Sequence, residues 1–350
     1  MTYQHGGDIY AHPADLDFSI NLNPLGMPGA ALQAAREGIL LTDRYPDPHA
    51  RELVLAITEE KQLKTEQILI GNGAAELIYA LCHALKVKKG LLLSPTFGEY
   101  EEALRSTGAE LTFWNLPEEQ DFRLEQDFLS ALDQKTDVLF LCNPNNPTGS
   151  LINRDLLLQI AGKCERTDTF FCLDECFLPF LQEEEDYTMM EMTAEFPHLL
   201  ILRAFTKIYA MAGLRLGYAV SSNRVLLEQM RRSMQPWNTS IPAQMAGAEA
   251  IRDGAYLKRT RELIVAEREY LIRELSNGLT EKIYPGAANY IFFRSRKDLW
   301  ERLLQEGVLI RSCENYRNLS AGYFRIGIRS REENTELIRR WRKIEWQDRS

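Results

Sequence analysis

The sequence predicts an α/β protein, with a large domain built on a mostly parallel sheet followed by a smaller α+β domain. Three observations carry this. Short apolar runs rich in β-branched and large residues recur at 68–70, 91–93, 138–142, 170–173, 199–202 and 216–220, and runs of this kind suit strands buried on both faces. Segments with helical spacing or turn residues lie between most of them, and strands alternating with helices argue for parallel pairing. Beyond about residue 222 the texture changes to one long helical pattern followed by short, separated strands.

Taken in order, residues 1–45 hold turn formers (Asn21, Asn23, Pro24, Gly26, Pro28, Gly29) and little strand signal. They are expected to pack on the smaller domain or on a neighbouring subunit. Residues 46–240 contain the apolar runs and form the large domain. Residues 241–350 form the small one. There, 255–277 reads as an amphipathic helix with Leu257, Ile264, Leu271 and Leu275 along one stripe. Strands are expected at 290–293, 308–311 and 323–328, and a last helix from about Glu332.

Composition narrows the function classes. The 350 residues carry 41 Lys+Arg against 50 Asp+Glu, a net charge of −9. So acidic a chain has no general attraction to nucleic acid or anionic lipid, although a few placed arginines can still hold a small anion. None of the six cysteines forms a Cys-x-x-Cys pair, and in a chain of this length that points to a reducing compartment. The first ten residues, MTYQHGGDIY, lack the basic and apolar regions of a secretory signal. The expectation is a cytoplasmic protein with no membrane span, no nucleic-acid partner and no metal.

Four stretches carry candidate chemistry. Gly71-Asn72-Gly73-Ala74-Ala75-Glu76 follows the first apolar run and opens an apolar helix. Small residues let backbone N–H groups approach an anion, and a helix N-terminus favours negative charge; a plain strand-to-helix turn has the same look. Asn143-Pro144-Asn145-Asn146-Pro147-Thr148-Gly149 directly follows the 138–142 run. Prolines and asparagines fix a tight loop at the C-terminal edge of the sheet, where open α/β sheets bind ligands. Leu173-Asp174-Glu175 ends another strand, so its carboxylate either faces the same crevice as Asn146 or caps a loop. Lys207, in Arg203-Ala204-Phe205-Thr206-Lys207, has Phe205, Ile208 and Met211 around it. Burial lowers a lysine's pKa and makes it a nucleophile for carbonyls; a solvated lysine is the plainer reading. Arg215, in Gly213-Leu214-Arg215-Leu216-Gly217, is placed to share an anion with Thr206.

In this order, the glycine-rich turn, N-P-x-x-P-T-G, D-E, [ST]-K and G-x-R-x-G resemble the fold-type I pyridoxal-phosphate (PLP) enzymes, the aspartate-aminotransferase superfamily of class I/II. Asn146, Asp174, Lys207 and Arg215 follow one another at intervals of 28, 33 and 8 positions, which fits the superfamily. The resemblance implies a seven-stranded, mostly parallel sheet between helices, and it assigns roles. Lys207 is then the amine that bonds the cofactor aldehyde. Asp174 keeps the pyridine nitrogen protonated, which makes the ring an electron sink. Asn146 donates to the ring oxygen, and Phe97 stacks on the ring. The Gly73, Ala74 and Ala75 backbone, with Thr206 and Arg215, holds the cofactor phosphate. Tyr45, in Arg44-Tyr45-Pro46, resembles a tyrosine that reaches this phosphate from the partner subunit, which implies a homodimer. Phe177 departs from the pattern, because the superfamily usually has a tyrosine there that bonds the ring oxygen.

Two subfamilies fit best, threonine-phosphate decarboxylase and histidinol-phosphate aminotransferase. His5-Gly6-Gly7, the 17–26 stretch DFSINLNPLG, Gln235-Pro236-Trp237-Asn238, and the 309–316 stretch LIRSCENY followed by Tyr323-Phe324-Arg325-Ile326 resemble the decarboxylase. The resemblance implies that Arg311 and Arg325 grip a carboxylate and a phosphate through paired N–H bonds, with Asn23 and His5 adding donors to the phosphate. The leading expectation is decarboxylation of L-threonine O-3-phosphate to (R)-1-aminopropan-2-yl phosphate for cobalamin assembly. The alternative is an aminotransferase acting on histidinol phosphate or a related amino acid. A non-catalytic PLP-binding module ranks last, since the chain shows no DNA-binding extension and keeps Lys207 with its full surroundings.

Overall fold

The computed structural model describes residues 6–133 and 135–347. Seven strands form the large sheet: β1 (Ile68–Gly71), β2 (Lys89–Ser94), β3 (Glu110–Asn115), β4 (Val138–Cys142), β5 (Phe170–Asp174), β6 (Leu199–Ala204) and β7 (Gly217–Val220). Their order is β1-β7-β6-β5-β4-β2-β3. Every pairing is parallel except the two made by β7, which runs antiparallel to β1 and to β6. The central strands are buried along almost their whole length, which is why they read as continuous apolar runs. β3 gives no such run. At the sheet edge opposite β1, it alternates exposed and half-buried residues, so polar positions interrupt its apolar ones.

Helices Gly73–Leu85, Gly98–Ser106 and Arg154–Thr167 connect the strands. The long expected helix spans Gly254–Ser276 and buries Leu257, Ile264, Leu271 and Leu275. It leads into a four-stranded antiparallel sheet made of β8 (Lys282–Ile283), β9 (Tyr290–Arg294), β10 (Arg311–Ser312) and β11 (Tyr323–Gly327), in the order β10-β11-β9-β8. The strand expected over 308–311 is split. Val308–Leu309 pairs in parallel with Leu16–Asp17, while Arg311–Ser312 pairs with β11.

The N-terminal segment therefore runs along the small sheet, with Gly327 N–H donating to the Phe18 carbonyl at 2.8 Å. It then forms a helix not evident from its turn-rich sequence, Gly29–Ile39, whose buried positions are Ala31, Ala34, Ala35 and Gly38. Small residues permit a close approach to the Ile241–Ile251 helix, where a Cβ on Gly38 would lie 2.8 Å from the Pro242 Cα. Among the described residues no helix is long and apolar enough to cross a membrane. All six cysteines are buried and unpaired.

Candidate active site

The C-terminal ends of β4, β5 and β6 open on one cavity of about 230 Å³, closed on its far side by β10, β11 and the N-terminal segment. Ala74, Ala75, Phe97, Asn146, Asp174, Thr206, Lys207, Arg215, Arg311 and Arg325 all line it. A larger cleft of about 650 Å³ between residues 47–55 and 231–244 contains none of them, so chemistry rather than size selects the smaller one.

Lys207 sits on the short helix Phe205–Ile208 that follows β6 without a break. Burial, and then the neighbouring Arg325 charge, bring its ammonium from 10.5 down to about 8. Both effects penalise a cation, so the amine is far more available as a free base than on a solvated lysine.

Asp174 ends β5 and is 4% exposed. Its Oδ1 accepts the Cys176 N–H at 2.9 Å and its Oδ2 accepts the Tyr100 hydroxyl at 2.7 Å. Burial and then Asp174 push the Tyr100 phenol well above its ordinary pKa, so it remains a donor. The two bonds fix the carboxylate plane on the cavity wall. The next residue, Glu175, serves another purpose. It is fully buried, pairs with Arg203 at 2.6 Å, and also accepts from Thr188 Oγ1 and the Met189 N–H. Arg203 in turn pairs with Glu184 at 2.6 Å. This buried network ties the end of β5 to β6, the two strands that present Asp174 and Lys207. Removing one partner of such a network leaves an uncompensated buried charge, at a cost of about 3–5 kcal/mol.

The opposite end is built for an anion. The Gly73–Leu85 helix points its N-terminus into the cavity at Ala74 and Ala75. Gly73 has φ +81°, and a Cβ there would lie 2.8 Å from Arg215 Nη2. Glycine is thus required by the backbone, and the Arg215 guanidinium lies close against it. The final glycine of G-x-R-x-G has a different reason: a Cβ on Gly217 would lie 2.7 Å from Ala74 N. β7 can seat the helix N-terminus only because this position has no side chain.

Asn146 Oδ1 accepts from Arg325 Nη1 at 2.5 Å and from the Tyr316 hydroxyl at 3.3 Å, which leaves the amide NH2 as its donating group. Arg325 Nη2 donates to the Ser19 carbonyl at 3.0 Å, while its buried Nε has no partner among the described residues. Arg311 and Arg325 are register partners on adjacent antiparallel strands and are 7% and 5% exposed. Arg311 donates to the Ser312 carbonyl and to Asn315 Oδ1, and its guanidinium lies over the Tyr316 ring. Phe177 is on the wall, edge-on to Tyr290 at 5.2 Å.

Two expected residues, Tyr45 and Asn23, are not brought to the cavity of their own subunit, and Gly73 precedes the lining residues Ala74 and Ala75 without lining it itself. His5 lies outside the described residues. Tyr45 is 76% exposed and stacks on Trp237 at 4.6 Å, away from the cavity of its own subunit. Asn23 is a correction: it is 3% exposed, and its Nδ2 donates to the Ile208 carbonyl and to Thr260 Oγ1, so no donor remains for a substrate. The asparagine of this stretch that lines the cavity is Asn21, whose buried Nδ2 has no partner among the described residues. Both asparagines sit in Asn21-Leu22-Asn23, and only the pairing of the preceding segment with the small sheet decides which one faces inward. Tyr316 is likewise not legible as a site residue in the sequence; its place beside Arg311 and Asn146 depends on the loop after β10.

This donor set fits a flat cofactor that carries an aldehyde and a phosphate. A helix N-terminus and an arginine lie at one end, a buried carboxylate on a strand end at the other, an aromatic ring on the wall, and a lysine with a depressed pKa between them.

A family model described as aminotransferase class I and II matches residues 14–340. Threonine-phosphate decarboxylase of Salmonella typhimurium is 38% identical, over 94% of this chain and 91% of that protein. The structure of histidinol-phosphate aminotransferase from Clostridium acetobutylicum superposes with a TM-score of 0.88 at 30% identity, covering 95% of this chain and 99% of that one. Histidinol-phosphate aminotransferase from Sinorhizobium meliloti, solved in complex with pyridoxal-5'-phosphate, gives a TM-score of 0.87 at 20% identity over 98% and 96% of the two chains. The fold is that of the fold-type I transferases, and the chain belongs to the class I and II aminotransferase family.

Proposed function

We propose that this chain is a PLP-dependent lyase that decarboxylates L-threonine O-3-phosphate to (R)-1-aminopropan-2-yl phosphate, a building block of cobalamin. The observation that carries the reading is the register pair Arg311 and Arg325, two buried guanidiniums facing the cavity that also holds Lys207. Two such forks suit a substrate with one carboxylate and one phosphate. The relative at 38% identity supports the same substrate.

Lys207 would hold the cofactor through its amine and Asp174 through its ring nitrogen. Asn146 donates to the ring oxygen, and Phe97 covers a face. The Gly73–Ala75 backbone, Thr206 and Arg215 take its phosphate. When bound, the cofactor supplies a conjugated ring that accepts the electron pair left at the substrate Cα. Arg311 and Arg325 orient the substrate so that its Cα–carboxylate bond stands across the ring plane, and this orientation selects which bond breaks. Asn21 adds a donor to the substrate phosphate. Lys207 Nζ would carry the proton to Cα. Phe177 keeps the adjoining wall apolar. The second reading is an aminotransferase on histidinol phosphate, favoured by the likeness to the Clostridium enzyme at 30% identity. Side-by-side incubation with threonine phosphate, and with histidinol phosphate plus 2-oxoglutarate, separates the two. Carbon dioxide in the first supports the lyase; glutamate in the second, with no carbon dioxide in the first, overturns it.

The same reading makes the protein a cytoplasmic homodimer with residues 46–240 and 241–350 as its two domains. Tyr45, Ile39 and Leu40 are 76%, 58% and 81% exposed, an apolar surface suited to a second copy. Tyr45 then completes the phosphate site of the partner. Tyr45→Ala and Lys207→Ala should each be inactive alone. Mixed dimers carry one site with both lesions and one with neither, so subunit exchange should restore up to half of the activity per mixed dimer. Proven exchange without rescue would show that Tyr45 serves no shared site.

A further inference from the structure

The helix that carries Lys207 is four residues long, Phe205–Ile208. So short a helix cannot satisfy its own C-terminal carbonyls. The Ala210 N–H reaches back to the Lys207 carbonyl at 3.3 Å, and Asn23 supplies the other donors from outside. Its backbone N–H donates to the Lys207 carbonyl at 3.1 Å, and its Nδ2 donates to the Ile208 carbonyl at 2.7 Å. The same Nδ2 also donates to Thr260 Oγ1 at 2.8 Å, on the Gly254–Ser276 helix. Its Oδ1 accepts the Leu25 N–H at 3.0 Å. Both amide hydrogens and the amide oxygen are therefore committed, and the residue is buried among the groups it joins.

The chain just before Asn23 faces the cavity. The Ser19 carbonyl accepts from Arg325, and Asn21 presents an Nδ2 with no partner among the described residues. One five-residue stretch thus touches the substrate-facing arginine at one end and the lysine-bearing turn at the other.

We propose that Asn23 is a positioning residue for Lys207. It sets the height and direction of the turn that carries the lysine, and it ties that turn to the Ser19–Asn21 segment, so that ordering of this segment around substrate is felt at the Lys207 backbone. The proposal rests on the reading of Lys207 as the lysine that bonds the cofactor. Without the amide, the Ile208 carbonyl loses its donor and the turn shifts to find another, carrying Nζ with it.

The test uses the holoenzyme with two variants, Asn23→Ala and Thr260→Val. The second removes the hydroxyl that accepts from the Asn23 amide and also meets the Tyr256 hydroxyl, and it leaves the cavity lining intact. In Asn23→Ala, kcat for threonine phosphate should fall about ten- to a hundredfold, the loss typical of a misplaced reacting group, while KM stays within about threefold. The pH midpoint of the bound cofactor's absorbance should shift from the wild-type value. Thr260→Val should move kcat and the midpoint in the same direction by less. A raised KM with unchanged kcat would mean that Asn23 binds substrate, and overturns the proposal. A lower melting temperature with unchanged kcat and spectrum would mean that it only stabilises the fold, and overturns it as well. If Asn23→Ala does not fold, Thr260→Val decides alone by the same readouts. Failure of the underlying reading looks different: wild-type protein would then show no cofactor reducible onto Lys207, whereas unmoved variants of a normal wild type sink the Asn23 proposal only.

Discussion

Lys207→Ala protein should release no measurable carbon dioxide from threonine phosphate, and borohydride should fix no cofactor on it. In wild-type protein the same treatment should fix one cofactor per chain, on Lys207. The depressed pKa gives a pH signature. With the midpoint at about 8, about a quarter of the Lys207 amine is free base at pH 7.5, against about 0.1% for an ordinary lysine. Only the free base attacks an aldehyde. Covalent capture of PLP by cofactor-free protein should therefore accelerate from pH 7 to 9 and level off above, rather than climb toward 10.5. A Lys207→Ala protein that still binds the cofactor covalently, or a capture rate that keeps rising past pH 9, would remove Lys207 from the role.

Arg325→Ala should lower kcat/KM for threonine phosphate about a hundredfold or more, since a single charge-assisted contact is worth about 1.5–3 kcal/mol and Arg325 makes several. It would contact the substrate anion, it bonds Asn146 Oδ1 at 2.5 Å, and it holds the Ser19 carbonyl at 3.0 Å. A second readout follows from charge. Arg325 is a cation that helps lower the Lys207 pKa, so removing it should move the capture midpoint upward from about 8. Arg325→Lys should keep much of the midpoint while losing most of the turnover, because an ammonium reproduces the charge but not the planar fork. Steady-state kinetics together with the pH profile of capture check both statements. An unchanged midpoint in Arg325→Ala would show that the Arg325 charge does not help set the Lys207 pKa.

The parts of this architecture that the sequence reveals are those under local constraint. β4, β5 and β6 are buried on both faces and read as apolar runs. Lys207, Asp174 and Asn146 are legible because each lies directly beyond such a run, at the edge where the sheet opens. β3 escapes notice because an edge strand needs only half its residues apolar, and Gly29–Ile39 because its packing depends on alanines and a glycine rather than on an apolar stripe. The choice between Asn21 and Asn23 is not local at all. It depends on the pairing of Phe18 with Gly327, more than 300 positions away, which turns one asparagine to the cavity and the other to the Lys207 helix. Glu175 shows the same limit: it adjoins Asp174 in sequence, yet a strand sends successive side chains to opposite faces, and Glu175 pairs with Arg203 in the interior.

The central claim is that the paired arginines direct breakage of the Cα–carboxylate bond. It is tested most directly by a single-turnover reaction with L-threonine O-3-phosphate labelled in its carboxyl carbon. The account predicts one labelled carbon dioxide and one aminopropanol phosphate per site, with the cofactor returned in its aldehyde form and no requirement for a 2-oxo acid. Label retained in a 2-oxo acid product, with pyridoxamine phosphate formed in equal amount, would contradict it and make the protein an aminotransferase on the same fold and cofactor.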